Sequence, residues 1–384
     1  MTTERTRRVG IADVAEAAGV SKTAVSFAFN NPARLAEDTA TRIRDIAEQL
    51  GYRPDPVARM LSQGRTRAIG MLTPQPLSVV FSNPFFGALC EGVGLAADES
   101  GFGLYLISPL HGSLARAVGR ASVDGFVAIG LSDSHPESEG VRRSGLPIVF
   151  VDSVAMPGDA TIEVDDEGGA QAAAEHLIGL GHRDFTVIAM EPPTPFGRAD
   201  PDSVIGRRLA GYRTGLARGG IELSSERIVS GPSTVAGGAL AFRHAWQEGQ
   251  RPTAVLAMSD AIAIGVLRAA ADLGIDVPGE LSVVGFDDVD MAAFINPPLT
   301  TVHPPVRRKG EEAVRLLLSV IERRTSAPEH RRLETHLIVR ASTGPAPART
   351  RDAIRRRAAG AGAHAGFRPG SPPAFWRAPV RSTP

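Results

Sequence analysis

From Ala68 onward the chain alternates apolar, strand-like runs with helical patterns, and this alternation constrains the fold more than any other feature. "AIGMLTP" is followed by "PFFGALCEGVGLAADESG", whose apolar residues recur at helical spacing. "FGLYLIS", "VDGFVAIG", "LPIVFVD", "DFTVIAM", "AVLAMSD" and "LSVVGFDD" read as buried parallel strands. Between them "EGGAQAAAEHLIGLGH", "GRRLAGYRTGLARGG", "AGGALAFRHAWQEG" and "DAIAIGVLRAAADLG" read as helices. Such βα repetition predicts a doubly wound α/β architecture. The units are too many for one sheet of ordinary size, so two lobes are expected.

The first 64 residues follow a different pattern. In "IADVAEAAGVSKTAVSFAFNNP", Ile11, Val14, Ala15 and Ala18 lie on one helical face. Gly19 suits a left-handed exit from that helix, and Ser21 suits the N-cap of a second. Val25 and Phe29, four apart, point back at the first helix. Val20 gives an apolar plug between the two helices. Small Ala15, then glycine four later, then β-branched Val25 six later: this spacing is that of a helix-turn-helix. Its second helix leaves Lys22, Thr23, Ser26, Phe27 and Asn30 outside the apolar face, with donors and acceptors toward the end that meets base edges in such units. Ser21 and Ser26 serve equally well as caps or phosphate contacts. "TATRIRDIAEQL" predicts a third helix from Thr39 to Leu50, capped by Asp38 or Thr39, with Ile43, Ile46, Ala47 and Leu50 inward and Gly51 ending it. Met1–Gly64 holds nine basic and eight acidic residues, so affinity for DNA must come from placement of charge. "YRPDPVARMLSQGRT" then allows about two helical turns, with Asp55 as N-cap, Pro56 in the first turn and Gly64 as the stop. An isolated helix in water needs roughly 12–15 residues, so this one folds only when something holds it.

On these residues, and on "LGYRPDPVARML", "GFDD" and "TTVHPP", the chain resembles a lactose-repressor-type (LacI/GalR) transcriptional regulator over about residues 9 to 343. The resemblance implies an all-α helix-turn-helix head at 1–53, a hinge helix and linker at 54–67, and a two-lobed core like that of periplasmic sugar-binding proteins at 68–344. The chain should cross between lobes three times, near Asp165, Asn296 and Arg324. That gives a first lobe of about 68–165 and 297–324 and a second of about 166–296 and 325–344. It further implies a homodimer on a pseudo-palindromic DNA operator. Paired hinge helices would lie in the minor groove, approaching at Ala58 and wedging Leu61 between base pairs. The family commonly has arginine where Phe27 stands. Phenylalanine cannot make a bidentate pair with guanine but can pack on a thymine methyl. The family also usually has asparagine at the position of Asp55, whose charge makes a phosphate contact unfavourable.

Ligands of open α/β sheets sit beyond the carboxyl ends of the strands. Asp152, Ser259 and Asp287 stand there, Arg208 begins a helix, and Phe86 opens the first helix of the lobe. The resemblance implies effector contacts at Phe86, Asp152, Arg208, Ser259 and Asp287, with a sugar or sugar derivative as effector. Asp260 reads as the N-cap of "AIAIGVLRAA".

Enzyme and transport readings are the rivals. The chain has no GxGxxG after its first strand, no GxxxxGK[ST] and no HExxH. His176 and His182 are six apart on opposite faces, and Cys90, the only cysteine, sits on an apolar face. No disulfide within the chain, metal or cofactor is therefore expected. The N-terminus has charges but no apolar signal segment, and no run spans a membrane, which points to the cytoplasm. Forty-two basic residues balance 42 acidic ones, so only a local basic patch could attract nucleic acid. Residues 345–384 carry eight arginines, one acid and few aliphatics, which reads as a disordered basic tail.

Overall fold

The computed structural model describes residues 9–55, 60, 64–131, 135–153, 158–191, 200–322 and 329–348. Three short helices, α1 (Ile11–Ala18), α2 (Lys22–Asn30) and α3 (Glu37–Gln49), share one small core of Val14, Ala15, Ala18, Val25, Ala28, Ile43 and Ala47. Gly19 takes the left-handed conformation that ends α1 (φ 66°), and the Ser21 hydroxyl accepts the Ala24 N–H at 3.1 Å to start α2. One expectation is refined here and one corrected. Ala28 fills the centre beside Val25, and Phe29 packs against the same core from its edge. Phe29 is half-buried and packs its ring against Tyr52 at 5.8 Å. The third helix starts at Glu37 after Ala36, with no side-chain cap; Asp38 lies in its first turn beside the positive helix end.

The linker is anchored rather than free where it meets the core. The Asp124 carboxylate accepts the Thr66 N–H and hydroxyl at 2.7 and 2.8 Å and the Arg67 N–H at 2.9 Å. Gly64 adopts φ 63° and its N–H closes a turn on the Met60 carbonyl at 2.9 Å, as a helix stop should. Ala58 and Leu61 lie outside the described residues.

The core is two six-stranded sheets. The elements run β1 (Ala68–Leu72), α4 (Leu77–Ser82), α5 (Pro84–Glu99), β2 (Gly103–Ile107), α6 (Leu114–Val118), β3 (Gly125–Ile129), α7 (Ser138–Arg142), β4 (Ile148–Val151) and β5 (Ala160–Val164). Next come α8 (Asp166–Gly179), β6 (Phe185–Met190), α9 (Val204–Arg218), β7 (Ile228–Gly231), α10 (Val235–Gln247), β8 (Ala254–Ala257), α11 (Asp260–Asp272) and β9 (Ser282–Phe286). The chain ends with α12 (Met291–Phe294), β10 (Thr300–His303), α13 (Val306–Ile321), β11 (His330–Leu333) and β12 (His336–Ile338). Sheet order is β11-β5-β4-β3-β1-β2 in the first lobe and β12-β10-β9-β8-β6-β7 in the second. Each lobe therefore repeats one doubly wound order, and all pairs are parallel except β10 with β12.

The lobe boundaries differ from the expected ones. Crossing occurs after β5, as read from Asp165. The second crossing follows β10, near Pro304, because Thr300–His303 pairs with β9 and not with the first sheet. The third lies between β11 and β12, because His330–Leu333 pairs with β5. These two strands escaped the sequence reading because they are short and polar. The "FGLYLIS" run is also not buried. It forms the edge strand β2, with Tyr105 55% exposed. The expected tail begins a few residues late as well: Ala346 donates its N–H to the Leu180 carbonyl at 2.8 Å. Residues 349–384 lie outside the described residues.

Helices α5 and α13 cross closely over the first sheet. A Cβ on Gly92 would run into the Arg307 carbonyl, whereas one on Gly94 would meet open space. Gly92→Ala is therefore expected to lower stability by about 1–3 kcal/mol. Gly94→Ala, in the same helix, is expected to raise it by roughly 0.5–1 kcal/mol. Calorimetric melting of both checks this; equal shifts would contradict the close crossing.

Candidate effector cleft and DNA-facing surface

Strands β4, β5, β8 and β9 all end on the side where the chain crosses between lobes, and their first following residues build a polar cleft. Ser203 caps α9 by accepting the Gly206 N–H at 3.2 Å, which sets the helix phase so that Arg207 and Arg208 both turn inward. Arg208 is buried. Its Nε donates to Asp166 Oδ1 at 2.8 Å, its Nη1 donates to the Met258 carbonyl at the end of β8, and its Nη2 lies 3.5 Å from Asp287 Oδ1. The guanidinium carbon lies over the Phe286 ring, 3.5 Å from its centroid. Arg207 donates to the other oxygen of Asp166 at 2.7 Å and lies 3.6 Å from Glu163 on β5, so it reaches the first sheet.

The first lobe presents a second pair. Lys309, on α13, is fully buried; its Nζ donates to Asp152 Oδ2 at 2.5 Å and lies 4.8 Å from the Phe85 ring centroid. The other Asp152 oxygen is buried with no partner. Asp152 and Asp287 both sit at positive φ, 52° and 114°, where their strands turn sharply away. Such backbone is rare outside glycine and concentrates at binding sites.

Electrostatics follow from this packing. Burial works against the charge of Asp166, but the Arg208 and Arg207 guanidiniums outweigh it and hold its carboxyl below the ordinary value. Burial pushes Asp287 up to about 6, against the pull of Arg208 and then Lys309, with Asp166 and Asp152 adding repulsion. Its response to Lys309 and Asp152 places the two lobes' charges within reach of each other.

Of the expected effector residues, Asp152, Arg208 and Asp287 come together in this cleft. Phe86 is buried in the first-lobe core, and its neighbour Phe85 is the ring beside Lys309. Ser259 is the N-cap of α11, accepting the Ile262 N–H at 3.3 Å and pairing with the Ser233 hydroxyl at 3.0 Å. That displaces Asp260 from the capping role expected of it. Asp260 is buried instead, accepting from the Thr301 hydroxyl at 2.6 Å and the Val289 N–H at 2.9 Å. Burial, and then the Asp287 charge, push it well above the carboxylate range. Its two oxygens fasten β10 to the turn that follows Asp287. His176 and His182 are structural too: one contacts the Thr343 hydroxyl, the other the Thr253 hydroxyl and the Gly344 carbonyl, each at 3.0 Å. Sequence reasoning missed Lys309, Asp166 and Arg207. The signal available was a lysine inside a helix whose apolar stripe it shares.

On the head, Ser21, Lys22 and Thr23 are exposed, and Ser26, Phe27 and Asn30 half-exposed, along one face of α2. Asn30 Nδ2 donates to Ser26 Oγ at 3.2 Å, and Arg34 lies over the Phe27 ring, 5.2 Å from its centroid.

Comparison with known proteins matches this arrangement. Residues 10–55 fit the model of "Bacterial regulatory proteins, lacI family", and residues 174–343 fit that of a "Periplasmic binding protein-like domain". The chain is 31% identical over 347 residues to the HTH-type transcriptional regulator CelR of Thermobifida fusca, covering 88% of this chain and 99% of that one. This chain belongs to the LacI family. It is a DNA-binding transcriptional regulator with an effector-binding core. Its fold superposes on the lac repressor dimer bound to operator and the anti-inducer ONPF with TM-score 0.75 at 26% identity, over 88% of this chain and 100% of that one. A CelR–cellobiose complex gives TM-score 0.66 at 30% identity, over 87% and 100%. No helix among the described residues is long and apolar enough to cross a membrane.

The cleft makes a pH-dependent demand on stability. Between its ordinary value of 3.8 and about 6, Asp287 keeps its proton in the fold but loses it in the unfolded chain. Its contribution to stability thus falls as pH rises through that window and stays low above it. Asp287→Asn cannot ionise. Beyond a constant offset for the altered Arg208 contact, it should gain on the parent between pH 4 and 6, by on the order of 3 kcal/mol at most, and hold that gain above. Melting temperatures of both proteins from pH 4 to 8 check this; parallel curves would contradict it.

Proposed function

We propose that this regulator is a homodimeric, cytoplasmic repressor of sugar-uptake or catabolic genes, and that the cleft binds a neutral polyhydroxy effector, a sugar or sugar derivative, without turning it over. The observation carrying this reading is the Asp152–Lys309 pair facing the Arg208–Asp166–Asp287 cluster. Every cation there already has a carboxylate partner. A charged ligand would unbalance the site, whereas hydroxyl groups can donate to the unpartnered Asp152 oxygen and to Asp287 while accepting from Arg208. The cellobiose bound by a similar regulator is a ligand of this chemistry.

On the DNA side, Ser21, Lys22, Thr23, Ser26, Phe27 and Asn30 are the contacts we assign to the head, with Ala58 and Leu61 acting in the minor groove. The Ser21 hydroxyl accepts its capping bond and still has a proton to donate to phosphate. The linker emerges from a first lobe anchored at Asp124, so a ligand that shifts the lobes shifts where the two hinges start. A coupling of about 1–3 kcal/mol would change operator affinity roughly 5–150-fold.

Calorimetry with a panel of mono- and disaccharides and nucleosides tests the ligand class. The parent is expected to bind a neutral sugar. Arg208→Ala is expected to lose that binding by about 2–5 kcal/mol while still binding the operator selected from genomic duplexes. Retained sugar affinity in the variant, or turnover of the bound sugar by the parent, would contradict the proposal.

A further inference from the structure

The DNA-facing surface extends beyond the residues assigned above. Lys22, Ser26 and Asn30 follow one another at four-residue steps along one face of α2; the chain breaks from the helix at Asn31, and the 3-10 turn Pro32–Arg34 returns Arg34 over Phe27 of that helix. Arg34 is exposed, and among the described residues no carboxylate or carbonyl engages its guanidinium. Its guanidinium carbon lies over the Phe27 ring instead, 5.2 Å from the centroid. Arg44, on α3, is spent differently: its Nε donates to the Ala28 carbonyl at 3.1 Å.

A guanidinium held over an aromatic face by cation–π attraction keeps its N–H groups available to a further partner. That attraction also limits the rotamer freedom that an exposed arginine would otherwise lose on binding. A planar fork held on the groove-facing surface matches the O6 and N7 acceptors of guanine. We propose that Arg34, shelved on Phe27, reads one guanine in each operator half-site, with Phe27 acting as its positioning residue. This rests on the head reading DNA, and it deepens that reading by naming a base and a donor. The alternative use of an exposed arginine is a phosphate contact, which carries charge but no sequence preference.

Selection of duplexes from a randomised library by the full-length protein decides between the two. The parent should enrich a guanine at one symmetric position. Arg34→Ala should lose roughly tenfold to a hundredfold discrimination at that position and keep the rest of the consensus. Arg34→Lys should lose the same preference while keeping the parent's salt dependence, since it has the charge but not the fork. Phe27→Leu should blur the preference at that position alone. The proposal is overturned if Arg34→Ala keeps the full consensus, weakens all duplexes alike and lowers the salt slope by about one, the signature of a phosphate contact. An unchanged consensus with unchanged affinity overturns it as well. A parent that enriches no sequence at all would instead remove the DNA-reading premise beneath it.

Discussion

Arg208 holds the second lobe's carboxyl edge together. One buried guanidinium meets the end of β8 at Met258, the end of β9 at Phe286 and Asp287, and the start of α8 at Asp166. An unpaired charge at that depth would not be tolerated, and removing one partner of such a group typically costs about 3–5 kcal/mol. The carboxylates around it are therefore not optional decoration. Asp166 neutralises it, and Arg207, sharing Asp166, carries the network across to Glu163 in the first sheet. The first lobe answers with buried Lys309 and its partner Asp152, likewise balanced in charge. Two lobes with matched charge on each facing edge leave a cleft suited to a polar, uncharged guest.

Much of this could be read from the residues. Asp152, Arg208 and Asp287 were legible because a polar residue directly after an apolar strand, or in the first turns after one, has few structural reasons to be there. Lys309 was not. It stands in "VRRKGEE", where a run of charges looks like a solvated helix face, and only packing reveals that one of the three cations turns inward. Asp166 hid in the same way beside Asp165, which takes the capping bond to Gly168 at 3.2 Å and leaves its neighbour free to point inward. Phe86 was read as ligand-facing because it opens a helix. The helix phase instead buries it and turns Phe85 toward the cleft.

The fold was legible at the level of repetition and opaque at the level of exchange. Apolar runs announce strands that are buried on both faces. They do not announce β11, "HRRL", whose place in the first sheet comes from its pairing with β5 rather than from its own side chains. Lobe membership of such strands is a property of topology, which local periodicity does not encode. The same blindness applies to β2, whose apolar run is the edge of the sheet. In the head the pattern was nearly complete, because Gly19 and Ser21 have conformational duties that few other residues perform.

The central claim is that occupancy of the cleft and grip on the operator are one linked equilibrium. Linkage makes the two effects equal: whatever factor the effector imposes on operator affinity, the operator must impose on effector affinity. The most direct test measures all four affinities of that cycle on the intact protein, with the selected operator and the sugar identified by calorimetry. The account predicts one common factor, of about 5–150-fold, on both sides of the cycle. A factor of one, with both ligands binding tightly, would mean that the cleft and the head ignore each other, and the account would be wrong.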